Sequence, residues 1–173
     1  MSTADPPGEH FDLVDQKDRV IGRAHRDEVH GNPDLVHRVV HVLVFNKRGE
    51  IYLQKRVSTK IVQPGKWDTS VGGHVDSGEE YLTAARREME EELGITGVSL
   101  DFLYRYLHRN DFESEMVSTY LASWAGPITP DPSEIGDGRF WTLNEIDGAD
   151  PEIFTPNFLE ELERFRTWSA NHF

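Results

Sequence analysis

The chain of 173 residues contains no cysteine, so disulfide bonds and thiol chemistry are both excluded. It also has no apolar run long enough to cross a bilayer. Basic residues are scarce, since 18 Lys and Arg stand against 31 Asp and Glu, a formal net charge of −13. Nucleic-acid polymers and anionic membranes bind basic surfaces, so neither is an expected partner. The start of the chain has no signal-peptide pattern, and a cytoplasmic protein is the simplest expectation.

The length of the chain predicts one domain with a sizeable core. Residues 1–10 are polar and contain two prolines, so we expect disorder there and a single domain over residues 11–173. Short apolar segments at 11–14 and 19–24 predict a β-hairpin, and the Val-rich segment 37–46 predicts a buried central strand. Further strands are expected at 51–55, 68–75, 100–108, 116–124 and 139–143.

Two main helices are expected. The first lies in Gly73–Ile95, which reads GHVDSGEEYLTAARREMEEELGI. Ser77 and Glu80 have the spacing of a capping box, so this helix is predicted to begin near Ser77, and Gly94 is predicted to end it. Its predicted buried face consists of Leu82, Ala85, Met89 and Leu93. The second helix is expected over 156–170, and strands flanking two helices predict an α/β fold with a mixed sheet in an α/β/α sandwich.

Three carboxylates of the first helix, Glu88, Glu91 and Glu92, lie at i, i+3 and i+4 and project from neighbouring positions. They repel one another unless a cation lies among them, and hard oxygen ligands suit Mg²⁺ or Mn²⁺. The alternative is an acidic helix face exposed to solvent, which is the usual meaning of a charge run. The glycine before the helix favours the metal site, because Gly73 lets the backbone approach a ligand closely.

The same stretch matches the Nudix box, G-x5-E-x7-R-E-U-x-E-E-x-G-U with U aliphatic or Met, at every position. The chain therefore resembles Nudix pyrophosphohydrolases, which implies a Nudix fold and metal-dependent hydrolysis of a small-molecule diphosphate. The resemblance implies that the Gly73 carbonyl joins the three carboxylates as a metal ligand. It also implies that Glu79 pairs with Arg87 and braces the loop against the helix. Homodimers are frequent in this family, so a homodimer is a further possibility.

A second set of metal-binding side chains lies mostly outside the helix: His30, His37, His74, Glu113 and Glu115. This set resembles the metal site of type I isopentenyl diphosphate isomerases, Nudix members with an HxxxxxxH pair, a GH after the central strand and an ExE pair. Imidazole and carboxylate donors together suit Mn²⁺, Zn²⁺ or Fe²⁺. The alternative is that each histidine is simply packed or hydrogen-bonded, because spacing does not show convergence in space.

One departure separates the chain from those isomerases. They place a cysteine that transfers protons to and from carbon immediately before the GH, whereas this chain has Gly72, which is neither an acid nor a base. They also degrade the box that this chain keeps complete. The sequence therefore favours an isomerase-like Nudix hydrolase that acts on a nucleoside diphosphate linked to another moiety or on a related organic diphosphate. An isopentenyl diphosphate isomerase and a catalytically silent diphosphate-binding module are the alternatives.

Candidate catalytic groups come from the box and from one loop. Glu91 and Glu88 are the favoured carboxylates, and Glu134 is another candidate, because that loop supplies a catalytic carboxylate in some Nudix enzymes. A third of the 18 basic residues lie in segment 47–66, which favours a phosphate-binding site near Arg56 and Lys60. The alternative is that these long side chains merely cover the end of a strand in solvent.

Overall fold

The computed structural model describes residues 9–59 and 63–172, and nine strands over these ranges belong to one mixed sheet. The strands are β1 His10–Val14, β2 Val20–His25, β3 Val36–Phe45, β4 Ile51–Arg56, β5 Trp67–Asp68, β6 Val71–His74, β7 Asp101–Arg109, β8 Ser114–Ser123 and β9 Ile135–Trp141. The helices are α1 Arg26–Val29, α2 Tyr81–Leu93, α3 Leu143–Gly148 and α4 Pro156–His172, with a short 3-10 turn at Pro151–Ile153.

Strand β3 is the centre of the sheet. It pairs parallel with β8 over its whole length and antiparallel with β6. Because side chains alternate between the faces of a strand, Val40, Val42 and Val44 pack together with α2, whereas Leu43 packs with α4. The sheet therefore lies between α2 and α4, and the predicted α/β/α sandwich is confirmed.

The N-terminal hairpin is formed by β1 and β2, and β1 joins β3 where Leu13 pairs with His37. The predicted disorder over residues 1–10 is wrong for His10, which lies in β1. Its carbonyl accepts a hydrogen bond from the Ser77 N–H at 3.0 Å, which ties the strand to the loop before α2. Residues 1–8 lie outside the described residues. Glu9 is described, and its carbonyl accepts a hydrogen bond from the Arg26 N–H at 2.9 Å.

Helix α2 begins at Tyr81, four residues later than the start predicted near Ser77. The capping-box interpretation is wrong, because Gly78 has a φ of +80°, a left-handed conformation that a right-handed helix does not contain. The Ser77 hydroxyl instead donates a hydrogen bond to Asp12 at 2.7 Å. The predicted end is confirmed, since Gly94 caps the helix with a φ of +67°.

The buried face of α2 differs from the prediction at one position. Leu82 is 39% exposed, and Ala84 is buried in its place beside Ala85. The i, i+4 row that runs back from Leu93 through Ala85 reaches Tyr81, so Leu82 lies one residue away from the core. The face of α2 that packs on the sheet is therefore lined by Ala84, Ala85, Met89 and Leu93, with Tyr81 at its start.

The predicted strand over 68–75 is two short strands with different partners. β5 pairs with β4, and β6 pairs with β3. Ser70 lies between β5 and β6 and links β3 to β4. Its hydroxyl accepts a hydrogen bond from the Val44 N–H of β3 at 2.9 Å and donates one to the Tyr52 carbonyl of β4 at 2.5 Å. The last strand also begins earlier than predicted, at Ile135 instead of Arg139. Within the described ranges, no helix combines the length and the apolarity needed to cross a membrane.

Candidate active site

The two predicted sets of ligands lie on opposite faces of the sheet. The register of β6 on β3 pairs Gly73 with Val40 and His74 with Val39. Since Val40 packs with α2 and successive residues face opposite sides, Gly73 faces α2 and His74 faces α4. Adjacent residues of one short strand therefore contribute to two separate clusters.

On the α2 face, Arg87 links the loop to the helix. It donates hydrogen bonds of 3.0 and 2.9 Å to the two carboxylate oxygens of Glu79, and one of 3.0 Å to the His74 carbonyl. It also donates to Glu88 Oε1 at 2.8 Å and lies 3.5 Å from Glu91. The hydrogen bond with Glu79 is the main reason why the pKa of Arg87 is raised. The structure thus brings the predicted brace together and fixes one box carboxylate beside it.

Glu88 and Glu92 form a partly buried carboxylate pair beside Gly73. The Glu88 side chain packs so closely on Gly73 that a Cβ there would lie 2.2 Å from Glu88 Cδ. Gln54 donates to Glu92 Oε1 at 2.8 Å, whereas Glu92 Oε2 is buried and has no hydrogen-bond partner among the described residues. Burial and then the charge of Glu88 raise the pKa of Glu92 well above its usual value, and burial also raises the pKa of Glu88. Such a donor set fits Mg²⁺ or Mn²⁺.

The two other candidate carboxylates lie at the edge of this pair. Glu91 is exposed, and its ion pair is the 3.5 Å contact with Arg87. Glu134 ends the loop before β9, and its charge contributes to the raised pKa of Glu92, so it lies within electrostatic reach of the box. The loop is held on α2, because the Asp131 N–H donates to the Glu92 carbonyl at 3.0 Å. The roles of these carboxylates remain predictions.

On the α4 face, the structure brings the histidines and the ExE pair together. The groups that could hold a metal are His30 with His37 and His74, and His37 with Glu113 and Glu115, each with ligand atoms within 4.8 Å of one another. His37 is fully buried, yet neither of its ring nitrogens has a hydrogen-bond partner among the described residues. Its Nε2 lies 3.8 Å from Glu115 Oε2, beyond hydrogen-bond distance. Two unpartnered buried nitrogens fit a metal ligand better than a packed core histidine.

The protonation states of this cluster also fit a metal site. Burial lowers the pKa of His37 to about 3 and that of His30 to about 4. It lowers the pKa of His74 well below the usual value. Burial raises the pKa of Glu115 to about 8 and also raises that of Glu113. The imidazoles are therefore neutral, as ligation requires, and a divalent cation would favour the ionised carboxylates.

The predicted phosphate-binding residues are only partly described. Arg56 Nη1 lies 3.5 Å from Asp68 Oδ2, so its charge is partly compensated. The charge of Arg56 also acts on Glu113, which places it within electrostatic reach of the histidine cluster. Lys60 lies outside the described residues.

Arg26, at the start of α1, is a candidate that the sequence analysis missed. It donates to His74 Nδ1 at 3.3 Å and lies 3.5 Å from Glu9 Oε2. The charges of Glu113 and Glu134 both act on Arg26, so this guanidinium lies within electrostatic reach of both clusters. A signal was available, because Arg26 precedes His30 by one helical turn.

Comparison with known proteins agrees with this geometry. The sequence model of the NUDIX domain matches residues 35–162. The chain belongs to the Nudix family. This Nudix chain is 36% identical over 171 residues to an uncharacterised Nudix hydrolase of Streptomyces coelicolor, covering 97% of this chain and 92% of that protein. It is 30% identical over 162 residues to isopentenyl-diphosphate Delta-isomerase 1 of Photorhabdus laumondii, covering 88% of this chain and 92% of that protein.

A solved structure also resembles this Nudix chain closely. The crystal structure of DR0079 from Deinococcus radiodurans superposes with a TM-score of 0.78 at 28% sequence identity, covering 90% of this chain and 98% of that one. These findings confirm the predicted Nudix pyrophosphohydrolase and its isomerase-like branch.

Proposed function

We propose that this Nudix chain hydrolyses a pyrophosphate bond in a nucleoside diphosphate linked to another moiety, or in a related organic diphosphate. The observation that carries the proposal is the pair Glu88 and Glu92 beside Gly73, with a buried Glu92 oxygen that has no partner among the described residues. Burial and mutual repulsion make the ionised forms of these two neighbouring carboxylates unfavourable by themselves, as their raised pKa values indicate. They become favourable when a divalent cation lies between them, which is the pattern expected at a functional site.

Mg²⁺ or Mn²⁺ would be held by the Gly73 carbonyl and by the side chains of Glu88, Glu91 and Glu92. When bound, such an ion activates water and neutralises the charge that develops on phosphate oxygens. Gln54 orients Glu92 through its 2.8 Å hydrogen bond. Arg87 holds Glu88 in the same way, also at 2.8 Å. These contacts set the positions of the carboxylates before the substrate arrives.

Glu91 is the proposed general base. Its side chain is 47% exposed, and its ion pair with Arg87 spans 3.5 Å, so it is open to solvent and can accept a proton from the attacking water. Glu134 is the alternative base, because its charge reaches Glu92 from the loop before β9. The pH dependence of kcat for Glu91→Gln and Glu134→Gln separates them, since only removal of the base should abolish the acidic limb.

Arg26, Arg56 and Lys60 are the proposed contacts of the substrate phosphates. Arg26 is supported by its hydrogen bond to His74 and by the charges of Glu113 and Glu134 that act on it, and Arg56 is supported by its electrostatic reach to Glu113. Guanidinium groups bind phosphate oxygens in pairs, which orients a diphosphate as well as attracting it. Lys60 is carried over from the sequence prediction alone.

A second divalent ion, Mn²⁺, Zn²⁺ or Fe²⁺, would be held by His30, His37, His74, Glu113 and Glu115. The support is the convergence of these ligand atoms and the unpartnered nitrogens of His37. Elemental analysis of purified protein after dialysis should find about one such metal per chain, and His37→Ala should lose it while box variants keep it. Equal metal content in the wild type and His37→Ala would contradict this site.

The same histidine cluster favours isomerisation of isopentenyl diphosphate as a second candidate function. Gly72 opposes it, because glycine offers no group that could move a proton to carbon. Incubation with isopentenyl diphosphate in deuterated water separates the two functions, since only isomerisation moves deuterium onto carbon. Deuterium incorporation without phosphate release would replace the hydrolase proposal.

The direct test of hydrolysis uses conservative variants of the box. Purified protein is first screened with each divalent metal against nucleotide sugars, dinucleoside polyphosphates, deoxynucleoside triphosphates and prenyl diphosphates. On the best substrate, Glu91→Gln or Glu92→Gln should lower metal-dependent turnover at least about a hundredfold with the fold intact. The matched control is Glu90→Gln, an exposed neighbour on the same helix, which should remain active.

Wild-type turnover in both box variants would rule out the assignment. Tight binding of one ligand by the wild type, with no turnover across the whole panel, would instead favour the silent diphosphate-binding module.

A further inference from the structure

The guanidinium of Arg26 lies between two acceptors at the edge of the histidine cluster. Its Nη1 is 3.3 Å from His74 Nδ1 and 3.5 Å from Glu9 Oε2. The backbone supports this arrangement, because the Arg26 N–H donates to the Glu9 carbonyl at 2.9 Å where α1 begins. Both side-chain distances exceed the roughly 2.9–3.0 Å that is usual for hydrogen bonds from an N–H group. A small movement of the guanidinium therefore favours one acceptor over the other.

The contact with Arg26 determines which ring nitrogen of His74 carries the hydrogen. A guanidinium is always protonated and only donates, so His74 Nδ1 must accept. An imidazole that accepts at Nδ1 is neutral and carries its hydrogen on Nε2. In this arrangement Nδ1 is taken by Arg26, and Nε2 has no lone pair to offer to a metal ion.

This arrangement conflicts with ligation of a metal by His74. A histidine that binds a metal through one ring nitrogen usually donates the N–H of the other to a carboxylate, a carbonyl or water. His74 instead meets a cationic donor at Nδ1. Ligation through Nδ1 would displace Arg26, and ligation through Nε2 would move the hydrogen to Nδ1, where it would face another donor. The hydrogen bond from Arg26 and ligation by His74 therefore exclude each other.

The displaced guanidinium has a second acceptor close by. Glu9 Oε2 is buried and has no hydrogen-bond partner among the described residues. Burial, followed by the hydrogen bond and charge of Asp76, raises the pKa of Glu9 to about 7, so Glu9 is mostly ionised at about pH 8. A carboxylate within reach limits the cost of breaking the hydrogen bond to His74.

The other ligands of the cluster are not blocked by Arg26. His37, Glu113 and Glu115 form a group whose ligand atoms lie within 4.8 Å of one another without His74. Neither ring nitrogen of His37 has a hydrogen-bond partner within the described ranges. The hydrogen bond from Arg26 thus removes one imidazole from the ligand set, and it should weaken metal binding without abolishing it.

We propose that Arg26 couples the metal ion of the histidine cluster to the substrate. In the metal-free protein Arg26 is hydrogen-bonded to His74, and ligation of a divalent ion by His74 releases Arg26 toward the substrate phosphates. The inference rests on the proposed function, because it uses the second metal ion and the phosphate contact proposed there. Coupling between two ligands is reciprocal, so a bound diphosphate that holds Arg26 also strengthens metal binding.

Zinc binding without any diphosphate tests the first half of the inference. Competition with a chromophoric chelator at about pH 8, with enough Mg²⁺ to occupy the box, measures the affinity of the histidine cluster for Zn²⁺. Arg26→Met removes the donor but keeps an unbranched side chain, and it should raise this affinity at least about tenfold. The matched control is Arg23→Met, which removes the same charge from an exposed position of β2 and should change the affinity by less than about twofold.

The tautomer of His74 tests the same step in the wild type and separates it from simple charge repulsion. Nitrogen NMR of isotope-labelled, metal-free protein should find the hydrogen on Nε2 and an unprotonated Nδ1. A hydrogen on Nδ1 would overturn the inference, because Arg26 could not then donate there. This measurement needs no variant, so it remains decisive if Arg26→Met does not fold.

The link to the diphosphate is measured with a methylene-bridged nucleoside diphosphate and Mg²⁺. Isothermal titration calorimetry should show tighter binding of this analogue to the zinc-loaded than to the zinc-free wild type. Arg26→Met should reduce the ratio of these two affinities at least about fivefold. The matched control is Arg56→Met, because Arg56 is another proposed phosphate contact but pairs with Asp68 instead of His74. It should lower both affinities and keep their ratio within about twofold of the wild type.

An unchanged zinc affinity in a folded Arg26→Met protein would overturn the inference, and so would an equal loss of the ratio in Arg26→Met and Arg56→Met. A failure of the proposed function looks different. The tautomer and the zinc affinities would be as expected, while the wild type hydrolysed none of the screened diphosphates.

Discussion

The closest packing in the proposed metal site is between Gly73 and Glu88, and Gly73→Ala tests whether it matters for catalysis. The new Cβ would lie 2.2 Å from Cδ, 2.4 Å from Cγ and 2.6 Å from Oε1 of Glu88. Ordinary contact begins near 3.4 Å, so the carboxylate must move by about 1.2 Å, which is 3.4 minus 2.2. That movement breaks the 2.8 Å hydrogen bond from Arg87.

A misplacement of about 1 Å at a catalytic centre costs roughly a hundredfold in rate, so we expect kcat/KM to fall by about that factor. The fold should survive, because Glu88 can swing toward solvent. The loss of its charged hydrogen bond should lower the free energy of unfolding by only about 1–3 kcal/mol. Steady-state kinetics with Mg²⁺, Mn²⁺ binding followed by electron paramagnetic resonance, and urea denaturation measure the three quantities.

The matched control is Gly148→Ala, because a Cβ on Gly148 meets nothing within 4 Å. It makes the same chemical change in α3, whose Ile146 packs in the core on the α4 face of the sheet, and should behave as the wild type in all three assays. Normal Mn²⁺ affinity and normal turnover in a folded Gly73→Ala protein would refute the argument that Glu88 and the Gly73 carbonyl hold one ion.

Arg87→Lys should lower the free energy of unfolding by about 1–3 kcal/mol, because lysine does not reproduce the paired hydrogen bonds to Glu79, and Arg86→Lys is the exposed control. The urea midpoints of the wild type and of both variants are measured at one pH. Equal midpoints for Arg87→Lys and the wild type would contradict the prediction. The pKa of His37 in the folded protein is about 3, which lies below its unfolded value. Titration of His37 therefore does not affect the stability of the metal-free fold above about pH 6.5, but it lowers that stability progressively as the pH falls toward 3. Glu115, with its pKa raised to about 8, acts in the opposite direction between about pH 4.5 and 8, so the informative quantity is the difference between the wild type and His37→Gln. That difference should decrease on acidification, and a constant difference would show that His37 is not held neutral by burial.

The fold was predictable because its main elements carry local signals. The Val-rich β3 reads as a buried strand, and the apolar spacing from Ala85 to Leu93 reads as a helix face. The start of α2 was not predictable in the same way. Ser77 and Glu80 have the spacing of a capping box, but the left-handed conformation of Gly78 prevents a helix from starting there. Turn conformation depends on contacts such as Ser77 with Asp12, 65 residues apart, which no local pattern contains.

The candidate site shows the same division. Its box ligands are close in sequence, and the histidine cluster could be proposed through a resemblance in spacing. His41 Nδ1 lies 2.6 Å from Glu161 Oε1 although the two residues are 120 positions apart, and nothing in the sequence around Glu161 distinguishes it from the other acids of α4. Arg26 was missed because its spacing of one helical turn from His30 is a weak local signal, and its contact with His74 is made only in the folded protein.

Successive residues of β6 face opposite sides of the sheet, so substitutions at two adjacent positions have separate effects. A change at Gly72 alters the α4 face, and a change at Gly73 alters the α2 face, because neighbouring residues of a strand point in opposite directions. Gain or loss of a single residue in Val71–His74 would exchange the faces and disturb both at once. A point substitution can therefore alter the packing on one face of this strand while the other face is preserved, whereas a change in the length of the strand cannot.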